Sequence, residues 1–206
     1  MKYKRIFDIS IILLTHILLF PIFLFMWIVI PLLILLVDGR PVFYRQKRIG
    51  KDGRIFYILK FRTMISDQKN PHQIKWTLPN DSRITKIGRI LRKTALDELP
   101  QVWNIIKGDM SLVGPRALSE EEHIFWLERI PEYKERLKIL PGLTGLSQIY
   151  NRNDDPYLKV KFDIEYINNM NLLMDIKIIF ISIINTLTAN WDNRNGKTIR
   201  DLGDFI

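Results

Sequence analysis

The chain has 206 residues, 47% of them apolar, with 31 Lys and Arg against 22 Asp and Glu for a net charge of +9, and it has no cysteine. That length accommodates one domain or two small ones, and the lack of cysteine excludes disulfides, thiolate nucleophiles and Cys-based zinc sites. The basic balance points to a polyanionic partner: an anionic lipid surface, a phosphate-bearing substrate or a nucleic acid.

The apolar residues are segregated. From Ile9 to Val37 the run "ISIILLTHILLFPIFLFMWIVIPLLILLV" carries no charge apart from that of a protonated His16. It exceeds the ~18 apolar residues that signal membrane insertion and the ~7–15 of a signal-peptide core. A straight helix over it would be about 43 Å long, against a hydrocarbon core of about 30 Å. Pro21 stands near the middle, where it removes a backbone hydrogen bond and predicts a kink. Lys2, Lys4 and Arg5 precede the run, and Arg40, Arg45, Lys47, Arg48 and Lys51 follow it. Positive charge stays cytoplasmic, so both flanks read as cytoplasmic and the segment as a re-entrant helix hairpin bent at Pro21. A kinked spanning helix is the alternative. His16 reads as a polar contact inside the bend, since no second metal-type residue lies at helical spacing from it.

Beyond the anchor, the β-rich runs Val42 to Tyr44 and Ile55 to Phe61, separated by a glycine-punctuated polar stretch, predict a β-hairpin. Residues 66–81 lack periodicity and predict a loop. Ile84, Ile87, Ile90 and Leu91 recur at helical spacing among Arg83, Lys86, Arg89, Arg92 and Lys93. This amphipathic helix lies in the membrane interface or packs on a core. Ser119 with Glu122 forms a capping box, and Pro131 opens a further helix. The segment from Asn171 to Trp191 is apolar at Leu172, Leu173, Ile176, Ile179, Phe180, Ile183 and Leu187, with Asp175 and Lys177 inside it. It reads as a helix lying on the membrane or closing the core. The predicted class is α+β, mainly helical, with a small β-hairpin and interfacial amphipathic helices. Residues 1–39 read as the anchor, 40–190 as a domain at the cytoplasmic face and 191–206 as a polar tail.

The stretch "KTALDELPQVWN" sets Asp97 beside Glu98. Thr94 and Asp97 have the spacing of a capping box, but Pro100 would then fall in the second helical turn, where proline is not tolerated. A start near Leu96 suits Pro100 better and puts both acids in the first turn, where the helix dipole favours an ionised carboxylate. Successive helical residues point about 100° apart, so the two acids have different jobs. Lys60 and Arg62 in "KFRTM" share one face of a strand, and Arg116 follows the Gly-Pro turn of "KGDMSLVGPRAL". Arginine forks and lysine point charges suit phosphate oxygens, although each residue alone is more often a solvated surface group.

The motifs "KRIFDI", "KFRTM", "LDELPQ…N…KGDMSLVGPR" and "PGLTGLSQI…R", in that order from about Lys4 to about Thr188, resemble the bacterial sugar transferases of the monotopic phosphoglycosyltransferase superfamily. The resemblance implies transfer of a sugar 1-phosphate from a UDP-sugar to a polyprenyl phosphate such as undecaprenyl phosphate, with release of UMP, in the first membrane step of surface-glycan synthesis. It implies that Asp97 attacks the phosphate to give a covalent aspartyl-phosphosugar, with Mg2+ at the site and Asp97 as its ligand. Glu98 completes the acidic pair, its role open among metal support, proton handling and orientation of Asp97. Lys60, Arg62 and Arg116 would neutralise the diphosphate, and Gln148 and Arg152 fall on the nucleotide-sugar side. The implied location is the cytoplasmic face of the bacterial inner membrane, among membrane lipids; a homo-oligomer is left open. Phe20-Pro21 stands where small members often have Ser-Pro, and Ala117 where they often have a second proline, which predicts a looser turn around Arg116.

A non-catalytic, basic membrane-surface protein is the reading from another class. It explains the charge and the amphipathic helices, but not the paired acids, Pro100 or the ordered motifs. A nucleic-acid binder fits poorly, because the aromatics do not interleave with the basic residues as a stacking platform.

Overall fold

The computed structural model describes residues 2–65, 81–151, 154–189 and 191. The segment 66–80 of the expected loop, Arg152, and the expected tail beyond 191 lie outside the described residues.

The apolar segment is two helices, α1 (Lys2–Leu18) and α2 (Phe20–Leu33), continued by a π-helical turn over Ile34–Asp38. The break falls at Leu19 (φ −108°, ψ 27°), with Pro21 in the first turn of α2, where a missing N–H is tolerated. Just before the break the Thr15 hydroxyl donates to the Ile11 and Ile12 carbonyls at 2.8 and 3.1 Å. His16 Nδ1 bonds the Ile12 carbonyl at 2.8 Å, and its ring stacks on Phe23 across the break, centroids 4.0 Å apart. The kink at Pro21 and the polar contact of His16 thus fall where the sequence puts them.

Both ends of this segment pack on one body. Near the start of α1, Lys4 Nζ donates to Val113 O (2.9 Å), Tyr166 Oη (2.6 Å) and Asp175 Oδ2 (3.0 Å). Arg5 donates to the Ile105 and Ile106 carbonyls, and Ile12 packs among Phe56, Ile58, Val102 and Ile105. At the other end Ile30 and Ile34 pack on Phe61 and Leu91. Between those ends Leu13, Leu14, Ile17, Leu18, Phe20, Ile22 and Phe25 stay exposed. The stretch Phe20–Asp38 is long and apolar enough to cross a membrane by length and composition.

Strands β1 (Phe43–Ile49) and β2 (Ile55–Phe61) form the expected antiparallel hairpin, in register from Phe43↔Phe61 to Ile49↔Ile55. Its first strand runs past Tyr44 because Arg45, Lys47 and Arg48 take strand positions. Asp52 (φ 55°) and Gly53 (φ 76°) make the turn. Helix α3 (Lys86–Thr94) is capped by the Thr85 hydroxyl, which accepts from Gly88 N at 2.9 Å. A 3-10 turn over Leu96–Gln101 leads into α4 (Val102–Lys107).

Two three-residue strands, β3 (Ser111–Val113) and β4 (Gly142–Thr144), pair in parallel; the sequence reading missed them. Helix α5 (Glu120–Leu127) carries the expected cap, Ser119 Oγ accepting from Glu122 N at 3.1 Å. Residues Pro131–Lys138 are 3-10, not α-helical. Helices α6 (Leu146–Tyr150), α7 (Pro156–Asn169) and α8 (Leu172–Leu187) follow. α8 closes the core with Ile178 and leaves Leu173, Ile176, Phe180, Ile183 and Leu187 exposed. The class is α+β and mainly helical, as expected.

Candidate active site

The paired acids stand on the 3-10 turn between α3 and α4. Ala95 takes the left-handed conformation (φ 54°) and ends α3, and the Glu98 amide donates to its carbonyl at 3.1 Å. The Thr94 hydroxyl bonds the Ile90 and Leu91 carbonyls at 3.0 and 3.1 Å. Thr94 therefore ends one helix and does not cap the next, and the capping box with Asp97 is not formed. Behind the turn, Asn104 of α4 is buried against the free edge of β2. Its Oδ1 accepts from Leu59 N (3.0 Å) and its Nδ2 donates to Tyr57 O (2.7 Å). This clamp fixes β2, and with it Lys60, against the acid-bearing turn.

Lys60 Nζ donates to Glu98 Oε1 at 2.5 Å, and Arg116 Nη2 donates to the same oxygen at 2.9 Å. The Arg116 side chain keeps 40% of its exposure against 13% for Lys60, so Arg116 is the more accessible of the two cations. Asp97 is buried, and no described residue donates a hydrogen bond to its carboxylate. One acid is thus tied to two cations while its neighbour has both oxygens available.

Electrostatics separates the two further. Burial pushes the Asp97 carboxyl up to about 6, against the pull of Lys60 and with the Glu98 charge adding to the rise. Burial acts on Glu98 in the same sense, but Arg116 and Lys60 outweigh it and hold that carboxyl down at about 2. The expectation that a helix dipole keeps Asp97 ionised is corrected: the turn is a six-residue 3-10 segment, and removal from water dominates.

Arg62 does not join Lys60 and Arg116. Its guanidinium donates to the Asp38, Gly39 and Arg40 carbonyls at 2.6–2.7 Å and so satisfies the chain end of the apolar segment. Gln148 stands on α6, its Nε2 donating to Leu143 O at 2.9 Å while its buried Oε1 has no partner among the described residues. Pro21 lies at the bend of the apolar segment. The sequence reading missed roles for Asn104 and Arg92; the Arg92 charge pulls the Asp97 carboxyl downward, whereas the sequence places Arg92 only among the basic residues of an amphipathic helix.

Among the described residues no three His, Asp or Glu side chains converge as a metal cage. Magnesium is commonly held by one or two carboxylates together with substrate phosphates, and the unengaged Asp97 carboxylate fits that pattern. Glu98 directs its Oε1 to Lys60 and Arg116. When bound, the ion would neutralise phosphate charge beside Asp97.

A family profile described as bacterial sugar transferase matches residues 1–189. The chain is 42% identical over 195 residues to the exopolysaccharide production protein ExoY of Sinorhizobium fredii, covering 87% of this chain and 83% of that one. It is 38% identical over 192 residues to the undecaprenyl-phosphate galactose phosphotransferase of Salmonella typhimurium (86% of this chain, 39% of the relative). It is also 38% identical over 153 residues to the UDP-glucose:undecaprenyl-phosphate glucose-1-phosphate transferase of Xanthomonas campestris pv. campestris (71% and 32%). It thus spans most of ExoY but under half the length of the two named transferases.

Proposed function

The chain belongs to the bacterial sugar transferase family, and from that premise we propose that it transfers a sugar 1-phosphate from a UDP-sugar to a polyprenyl phosphate. In the first step an Asp97 carboxylate oxygen attacks the sugar-bearing phosphorus and the bridging P–O bond breaks. UMP leaves with the bond's electron pair, and an aspartyl-phosphosugar remains. In the second step a phosphate oxygen of the lipid attacks the same phosphorus, the acyl-phosphate bond breaks, and the carboxylate is regenerated with a polyprenyl diphosphosugar as product. Splitting the transfer lets one site serve a water-soluble donor and a membrane-bound acceptor in turn.

The observation that carries this reading is the division of labour between adjacent acids. Glu98 accepts from both Lys60 and Arg116 and holds two cations beside Asp97, whose carboxylate is unengaged. Positive groups at that position oppose the charge that builds on the transferring phosphoryl oxygens. The names of the Salmonella and Xanthomonas relatives both specify undecaprenyl phosphate, which supports a polyprenyl phosphate acceptor. Magnesium on Asp97 belongs to this proposal.

The proposed setting is the cytoplasmic face of the bacterial inner membrane, with the α1–α2 segment entering the lipid as a hairpin. Exposed apolar side chains on α8, with Trp103 and Ile106 of α4, would rest in the interface beside it. A purely structural membrane-surface protein would use the same apolar faces but leaves the Lys60–Glu98–Arg116 cluster without a purpose.

UMP release from a panel of UDP-sugars, with polyprenyl phosphate and magnesium, tests the reading. The wild type is expected to turn over at least one donor, and Asp97→Asn to fall by about 10³-fold or more, as when a covalent nucleophile is removed. Wild-type turnover in Asp97→Asn contradicts the assignment.

A further inference from the structure

The turn that carries Arg116 is tied down more heavily than its sequence suggests. Four consecutive carbonyls each accept a hydrogen bond from elsewhere in the chain. Gly142 N donates to Pro115 O (2.9 Å), Arg136 Nη2 to Arg116 O (3.0 Å), Arg48 Nη1 to Ala117 O (3.1 Å) and Ile49 N to Leu118 O (3.0 Å). The looser turn expected from Ala117 is therefore not found: side chains from β1 and the 131–138 turn do the work of a rigid residue.

The Arg136 tie is itself oriented. Arg136 Nε donates to Asp163 Oδ2 at 2.6 Å, the pair is 3% and 1% exposed, and Ser147 Oγ donates to Asp163 Oδ1 at 2.7 Å. A buried ion pair adds little stability over apolar side chains of similar volume. Its distinctive property is direction: with Nε fixed on Asp163, Nη2 is aimed at the Arg116 carbonyl.

We propose that Arg48 and Arg136 are positioning residues for the transfer, guanidinium groups that fix the main chain of residues 115–118 and thereby hold the Arg116 side chain on Glu98 and the transferring phosphoryl group. The proposal rests on the reading of Arg116 as the cation that meets the donor phosphate. Neither arginine touches the reacting atoms; each acts through Arg116.

Two variants of the full-length protein test it. Arg136→Met combined with Asp163→Leu removes the tie without stranding a buried charge, and Arg48→Met removes the other. Each is made with and without Arg116→Ala. UMP release is followed from a donor the wild type uses, together with melting temperature and amide exchange. The expected result is a fall in kcat of about tenfold in either variant with donor KM changed less than about twofold. In the Arg116→Ala background no further fall is expected, because groups acting through one residue are non-additive. The Gly142 and Ile49 amides, which donate to the clamped segment, should exchange about tenfold faster. Losses that multiply with Arg116→Ala, or unchanged exchange at those two amides, overturn the proposal. Failure of the wild type to release UMP from any donor counts against the nucleotide-sugar reading instead, and the exchange measurement then decides the clamp by itself.

Discussion

Asp97 and Glu98 are adjacent in the chain and opposite in character. Asp97 is pushed up to about 6 by burial, and Glu98 is held near 2 because Arg116 and Lys60 outweigh its burial. A nucleophilic carboxylate must be ionised, so kcat/KM for the UDP-sugar should rise with pH along a limb whose midpoint lies at about 6. Raising the divalent-cation concentration should move that limb down, since a nearby cation favours the charged form. A rate independent of pH from 5 to 7.5 at low divalent concentration would contradict the assignment. The two acids bear on stability with opposite signs. Glu98, depressed on folding, contributes stability present above its unfolded pKa and lost as pH falls toward 2; Asp97, raised on folding, disfavours the folded state increasingly as pH climbs from its unfolded value toward 6. Pro100 made the start of the turn at Leu96 readable from sequence. The upward shift of the Asp97 carboxyl was not, because it comes from burial by segments far away in the chain.

The elements differ in how far local pattern determines them. The proline-broken apolar run, the hairpin, the Ser119 cap and the amphipathic α8 each carry a signal within a few residues, and each forms. Strands β3 and β4 have three residues apiece and pair in parallel across the intervening α5 and 131–138 turn, so no periodicity announces them. Their contact depends on small residues. A Cβ at Gly142 would stand 2.1 Å from Gly114 N, and one at Gly145 would stand 2.2 Å from Gly114 O. Gly142→Ala should therefore push β3 and β4 apart, destabilise the protein by about 1–3 kcal/mol and reduce UMP release through displacement of Arg116. A melting curve and a rate within error of wild type would show that the crossing is not needed to hold Arg116. Arg62 teaches the converse lesson: strand alternation grouped it with Lys60, but three carbonyls at the end of the apolar segment claim its guanidinium.

In the whole molecule, the apolar segment and the turn that carries Asp97 share their supports. α1 enters the core through Ile12 and the Lys4 contacts, and the far end of α2 rests on Phe61 and Leu91, next to the strand that carries Lys60. Anchoring at both ends on one body, with exposed apolar residues between them, suits a segment that enters and leaves the lipid on one face. The chain has no cysteine, so single cysteines at positions 3 and 45 can be labelled without background. Both should react from the cytoplasmic side of the membrane, and labelling from opposite sides would contradict the hairpin. The convergence of Glu98 with Lys60 and Arg116 could be anticipated from ordered motifs, whereas the ties through Asn104, Arg136 and Arg48 emerge only once distant segments are packed together. The account turns on Asp97 as a covalent nucleophile, and intact-protein mass spectrometry after incubation with a competent UDP-sugar and magnesium, with no lipid acceptor, puts that to the test. One sugar-phosphate adduct on Asp97, formed with about one equivalent of UMP and discharged by polyprenyl phosphate, is the predicted result. UMP release only after the acceptor is added, with the protein mass unchanged throughout, would contradict it.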